Sequence, residues 1–271
     1  MNIKHIITLA LAAAFSGAAL AAADADAILK AVRDRPDGKD IYSETHLILA
    51  DPGGSVRERE LFYLQKDYPG EERLTLYFKA PSDVKGVGFQ SANYDEAAGK
   101  DDEQWLYMPA FRQVRRIATG DKRGSFMGSE YAYIDLDKLR VGDYQQTVTG
   151  SEAVGGRDCW AVERVPASAD IIAKTGYDKT AVWVDKERNL VVKQTYYNSA
   201  GVLFKTMEAA RVEQVQGIWT VMESVMTDHL SGKRSTLRFD NVRYDVGLGD
   251  ELFQQRVLQG GVHEGNLPSS R

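Results

Sequence analysis

A single cysteine, Cys159, stands among 271 residues, so no disulfide can close within the chain. Small exported domains often depend on disulfides, but a chain of about 250 residues buries enough surface to fold by packing alone. The lone thiol lies inside a β-like pattern and is expected to be buried, as free cysteines usually are. Histidine is also scarce. Beyond residue 21 only His46, His229 and His263 occur, with no His-x-x-His or His-Glu-x-x-His pair to hold zinc. There is no Gly-x-Ser-x-Gly elbow, no Gly-rich phosphate loop and no cysteine at a helix start. No catalytic set, metal or cofactor is therefore expected. Asp101 with Asp102, and Asp135 with Asp137, are carboxylate pairs, but such residues cap loops and helix starts. Carboxylate catalysis is decided by spatial separation, which sequence does not give.

Long apolar runs are missing after residue 21, where stretches such as Leu47-Ile48-Leu49-Ala50 are short, so no membrane span is expected there. A basic excess is missing too. The formal charge is −5, becoming −6 if Lys4 is removed, which argues against nucleic acid or an anionic membrane surface as general partners.

What is present begins with the first 21 residues. Lys4, an apolar run from Ile6 to Leu20 and the small-residue stretch Ala19-Leu20-Ala21 make a cleavable secretory signal, too short to span a bilayer. No cysteine stands at the cut to carry a lipid. The expected organisation is a signal peptide at 1–21, one domain at 22–258 and a flexible Gly-, Pro- and Ser-containing tail at 259–271.

Residues 25–33 form one amphipathic helix, with Ile28, Leu29 and Val32 on a face and Asp24 as N-cap. Strand patterns follow at 41–50, 56–65, 73–78, 104–108, 112–117, 143–149, 158–165, 180–185, 190–198, 203–216, 218–228 and 234–246. Turn signals such as Asp51-Pro52-Gly53-Gly54 and Gly155-Gly156 separate them. Gaps this short exclude crossover helices, so the strands pair antiparallel. The expected fold is mainly β: a single curved antiparallel sheet closed or half closed on itself. Residues 119–139 interrupt the pattern as a loop with a short helix.

Trp105, Tyr107, Met108, Phe111, Phe126, Met127, Tyr131 and Tyr133 crowd into and around that interruption. Such side chains either line a greasy cavity or cap a core, and their types alone do not decide which. Arg115 and Arg116 are successive strand residues and face opposite sides. At least one can meet a ligand head group or an acid of the insert; the alternative is that one pairs with Asp135 or Asp137 and the other meets solvent.

The succession Trp105-Leu106-Tyr107-Met108-Pro109, then Val114-Arg115-Arg116-Ile117, then Ser125-Phe126-Met127-Gly128-Ser129 and Tyr131-Ala132-Tyr133-Ile134-Asp135-Leu136 resembles the outer membrane lipoprotein-sorting protein family, the LolA-like periplasmic carriers. Weaker matches are Cys159-Trp160, Val182-Trp183-Val184-Asp185, Gly217-Ile218-Trp219 and Leu252-Phe253, so the likeness spans nearly the whole chain after the signal. Ala132-Tyr133-Ile134 departs from the Ser-Tyr-Glu type sequence common in that family. The resemblance implies a half-open β-barrel whose open side is filled by a few short helices and a loop. It also implies a Gram-negative periplasmic carrier of lipids or lipid-bearing molecules, associated with an RND-type inner-membrane permease or an outer-membrane acceptor. On this reading the protein is a monomer, not an enzyme. Phe126 and Met127 contact the cavity, Trp105 and Tyr107 flank it on the adjoining strand, and the stretch 120–128 acts as a lid. A protein-facing adaptor of such a permease is the alternative, and an uncharacterised hydrolase is a third.

Overall fold

The computed structural model describes residues 24–262 and 264–268, so the signal segment 1–21 and His263 lie outside the described residues. Helix α1, Ala25–Arg33, starts where the Asp24 carboxylate accepts the amides of Asp26 and Ala27 at 3.0 and 3.3 Å. Its buried Leu29 packs on Val162, Val182 and Val184.

Two antiparallel meanders make up the body. The first is β1 (Asp40–Ala50), β2 (Val56–Tyr68), β3 (Glu71–Ala80), β4 (Gly88–Tyr94), β5 (Glu103–Met108) and β6 (Gln113–Arg116). The second is β7 (Tyr144–Val154), β8 (Arg157–Pro166), β9 (Lys179–Asp185), β10 (Leu190–Tyr197), β11 (Leu203–Val215), β12 (Ile218–Asp228) and β13 (Arg234–Tyr244). The pairing of β1 with β13, Leu47 opposite Leu237, joins the meanders into one sheet with β6 and β7 at its edges. The sheet is not closed. One segment, residues 117–143, must run from one free edge to the other, and it does so across the concave face. That topology makes the half-open barrel and its filling loop a single feature.

Along β2 and β3 the alternation sends Leu61, Leu74, Leu76 and Phe78 inward. Phe62 and Leu64 point outward. The outward residues are covered by Leu248, Leu252, Phe253 and Val262 of the C-terminal stretch. Helix α3, Gln255–Gly260, spans the position where the tail was expected to begin and lies against β4. A Cβ at Gly88 would stand 2.9 Å from Leu258 Cδ2, so the close approach needs glycine there. Cys159 is buried in β8, as expected.

Two elements carry no clear sequence signal. Strand β4, Gly-Phe-Gln-Ser-Ala-Asn-Tyr, lacks polar–apolar alternation because it is buried on both faces, with Gln90 donating to Thr75 Oγ1 and the Gln254 carbonyl. Helix α2, Ala169–Thr175, has only seven residues, and Ser168 caps it by accepting the Ile171 amide.

Candidate binding cavity

The segment over the concave face is pinned at its base by buried charge. Lys122 Nζ lies 2.8 Å from Asp137 Oδ2 and donates to the Asp102 carbonyl, and both side chains are at most 5 % exposed. Gln104 Nε2 donates to Asp137 Oδ1 and to the Tyr133 carbonyl. Arg140 pairs with Asp102 at 3.0 Å. At the tip, Ser125 and Ala132 form an isolated bridge, and the turn between them holds Met127 at φ 52° and Gly128 at φ 74°. Arg59 donates to the Met127 carbonyl, and Ser129 Oγ to that of Phe126. The turn drives Phe126, 1 % exposed, against Phe78, Phe89 and Tyr133.

Beneath this cover two chambers abut. The larger, about 380 Å³, is walled by Tyr63, Met226, Leu237, Phe239 and Val242 of β2, β12 and β13, and roofed by Tyr131 and Leu136. The smaller, about 210 Å³, is walled by Arg140, Tyr144, Arg164, Lys174 and Thr180. Asp135, Val191, Gln194, Tyr196 and Met207 border both.

At their junction Lys205 Nζ lies 2.9 Å from Asp135 Oδ2 and donates to Tyr177 Oη at 2.8 Å, while that hydroxyl donates to Asp135 Oδ1 at 2.8 Å. The ammonium also stands over the rings of Tyr177 and Tyr196 at 5.1 and 4.9 Å. Burial, reinforced by the Asp135 charge, pushes both phenols well above their ordinary range, so they remain donors. Burial likewise pushes the Arg164 guanidinium down.

Of the residues singled out by sequence, Tyr131 and Asp135 border the chambers. Phe126, Met127 and Tyr133 lie in the core above them and are walls of neither. Trp105 and Tyr107 do not flank the cavity. Leu106 packs on the inner core, so its strand neighbours face the other way, and Trp105 lines a small outer cleft with Arg73 and Phe253. Met108 is half-buried at the end of β5. Phe111 is 56 % exposed at the hairpin tip, with the Arg115 guanidinium 5.5 Å over its ring.

The pairing expected of Arg115 or Arg116 with the insert's acids is replaced by other partners. Arg116 bonds Glu103 at 2.8 Å across the hairpin, while Asp135 takes Lys205 and Asp137 takes Lys122. Both arginines are exposed on an edge strand, away from the acids. Lys205, Tyr177, Tyr196 and Arg164 carry the polar chemistry of the cavity and escaped sequence reading. The strand alternation that places Gln194 and Tyr196 on one face was the available signal.

Among the described residues no three His, Cys, Asp or Glu side chains are arranged to hold a metal, and no helix is long and apolar enough to cross a membrane.

Residues 70–260 match a family model described as an uncharacterized protein. The chain is similar to a DUF1329 family protein from Desulfovibrio piger, with 30 % identity, a TM-score of 0.80, and coverage of 87 % of this chain and 98 % of that one. It is similar to a domain named as an outer membrane lipoprotein-sorting protein from Vibrio parahaemolyticus, at 29 % identity, TM-score 0.79 and the same two coverages. A LolA superfamily protein from Nitrosomonas europaea shares the fold at 20 % identity and TM-score 0.64, over 86 % of this chain and 98 % of that one. No curated protein matches the chain.

Proposed function

The chain belongs to the DUF1329 family and has the open LolA-like β-barrel fold, and from that premise we propose that it is a periplasmic carrier of lipids or lipid-bearing molecules. In this reading residues 1–21 are removed on export, residues 22–258 act as one carrier domain, and the working partners are a hydrophobic cargo and the envelope components that load and unload it. The protein acts by binding and handing over, not by catalysis.

The observation that carries the reading is the larger chamber. Its volume of about 380 Å³ falls in the range of roughly 300–1,000 Å³ common to ligand pockets. Its walls are mainly Met, Leu, Ile, Val, Phe and Tyr side chains, with Arg35, Asp37, Asp135 and four uncharged polar residues among them, on the concave side of a sheet that never closes. Burying an acyl chain is worth about 0.8 kcal/mol per methylene, so shape and apolar lining suffice for affinity. Release then needs the cover to move. The segment 117–143 spans the two free edges, and its tip is tied by hydrogen bonds to Ser235, Arg59 and Ser224. Parting those contacts, together with the packing of Phe126 and the bonds of Asp135 to Lys205 and Tyr177, exposes the apolar walls without breaking a strand pair of either meander.

Native mass spectrometry with solvent extraction, on protein purified from the periplasm of its own host, tests the reading. A defined lipid mass that survives purification is expected. A ligand-free mass, with no uptake of added lipids, would transfer the reading to a protein-facing adaptor of an export permease.

A further inference from the structure

Every charged residue bordering the smaller chamber but one has an oppositely charged partner. Asp135 takes Lys205, Asp137 takes Lys122, Lys138 takes Glu72 at 3.3 Å and Lys174 takes Asp101 at 2.9 Å. Arg140 is shared by Asp102 and Asp143, each within 3.3 Å. Arg164 alone has no carboxylate within ion-pair distance among the described residues. It is 4 % exposed, and one of its nitrogens, Nη2, donates to the Arg140 carbonyl at 2.7 Å. Its Cζ lies 4.0 Å from the centre of the Tyr144 ring, a contact that does not neutralise it. Nε has no hydrogen-bond partner, and neither has Thr180 Oγ1 on the adjoining strand, where Thr180 stands directly opposite Arg164.

A buried guanidinium without a counter-ion is costly, and buried polar atoms are nearly always satisfied. Two such groups, in cross-strand register and facing one chamber, fit an anion that accepts from both. A guanidinium fork matches the two oxygens of a carboxylate or phosphate, and a threonine hydroxyl supplies a further donor. The chamber, at about 210 Å³, has room for such a head group. Its volume leaves no room for an acyl chain beside the head group, and the larger abutting chamber provides that room.

We propose that Arg164 and Thr180 form a head-group site for an anionic amphiphile, whose tail occupies the larger chamber across the shared border at Gln194, Tyr196 and Met207. This rests on the carrier reading and narrows its cargo to lipids with a carboxylate or phosphate head. The acids that face the site, Asp135, Asp137 and Asp143, are each held by a cation, so they do not bar an anion.

The test uses the full mature chain and three probes of equal tail length: palmitate, hexadecyl phosphate and hexadecanol. Affinities are measured by displacement of a fluorescent lipid, with thermal unfolding recorded beside them. Wild type is expected to bind one or both anionic probes at least about tenfold more tightly than the alcohol, and the tighter of the two names the head. Arg164→Gln is expected to erase that preference while leaving hexadecanol affinity within about twofold. If Arg164→Gln fails to fold, Thr180→Val, which removes only the hydroxyl, is expected to lower anionic affinity several-fold. Equal wild-type affinity for all three probes overturns the head-group site and leaves the carrier reading standing. A preference that survives Arg164→Gln, or that Thr180→Val leaves undiminished, overturns it as well. Failure of wild type to take up any probe, the alcohol included, overturns the carrier reading and this inference with it.

Discussion

The two chambers lie under one sheet and share a border, yet their walls hold in different ways. The larger is bounded by side chains whose burial has no direction, such as Met226, Leu237 and Phe239. The smaller adds to apolar side chains such as Val32, Ile134 and Leu139 a set of charges and hydroxyls that need particular partners at particular distances, such as Asp137 with Lys122 and Arg140 with Asp102. Apolar walls tolerate reshaping, which suits a site that must admit a flexible tail. Ionic walls fail when one member is removed, which suits a fixed point of reference for a head group and for the cover.

The largest effect expected from breaking this contrast comes at the cover's base. Asp137→Ala strands the Lys122 ammonium, 2 % exposed, without its counter-ion. Removing one member of a buried pair costs about 3–5 kcal/mol. The double replacement Lys122→Met with Asp137→Leu is expected to recover most of that loss, because it strands no charge. Urea unfolding of the single and double variants measures both. A double variant no better than the single would show that the hydrogen bonds from Gln104 to Asp137 and from Lys122 to the Asp102 carbonyl matter more than the charge.

The same contrast explains what was legible in the sequence. Alternation put Leu237 and Phe239 on one face of the strand read at 234–246, and it gave the order of hairpins and the interruption between the last strand of the first meander and the first strand of the second. A non-directional wall can be read from a local pattern. Asp135 gave no local hint of Lys205, which lies 70 positions away, and nothing near Arg164 announced that no acid would meet it. Those facts are made by register between distant strands. Aromatic type misled in the same way. Phe126 and Trp105 are both large and apolar, but a left-handed turn at Met127 and the strand alternation at Leu106 send one into the core and the other outward. Strand β4 stayed hidden because both its faces are buried, one of them by polar groups.

A smaller effect is expected in the apolar chamber. Met226 is fully buried in the core where it borders the chamber. Met226→Ala is expected to cost about 2–3 kcal/mol, near the low end for methionine truncation, because fewer contacts are lost than in a filled core. It should also widen the chamber and favour a branched or bulkier tail over a straight one. Displacement titrations with straight and branched probes check this. Unchanged selectivity would mean that the tail does not reach the β12 wall.

The smallest expected effect sharpens the contrast at the floor, where Glu72 feels both regions. Its carboxylate is 3.3 Å from Lys138, a wall of the polar chamber, and accepts from Asn93 Nδ2 at 3.2 Å, while Asp37, a wall of the apolar chamber, and Asp67 repel it. Burial is the largest influence and raises its proton affinity above the ordinary glutamate value of 4.5. Between 4.5 and that raised value the folded chain holds a proton that the unfolded chain has released. Stability from this group is fully present below 4.5 and is lost as pH rises through the raised value. Glu72→Gln keeps the Asn93 and Lys138 neighbours but removes the titration. Wild type is thus expected to lose stability relative to Glu72→Gln as pH is raised from 4.5 towards neutrality, in urea unfolding series run on both proteins. A wild type that instead gains on the variant over that interval would show that the Lys138 charge outweighs burial. The floor would then belong with the paired ionic walls, and the apolar chamber would end above it.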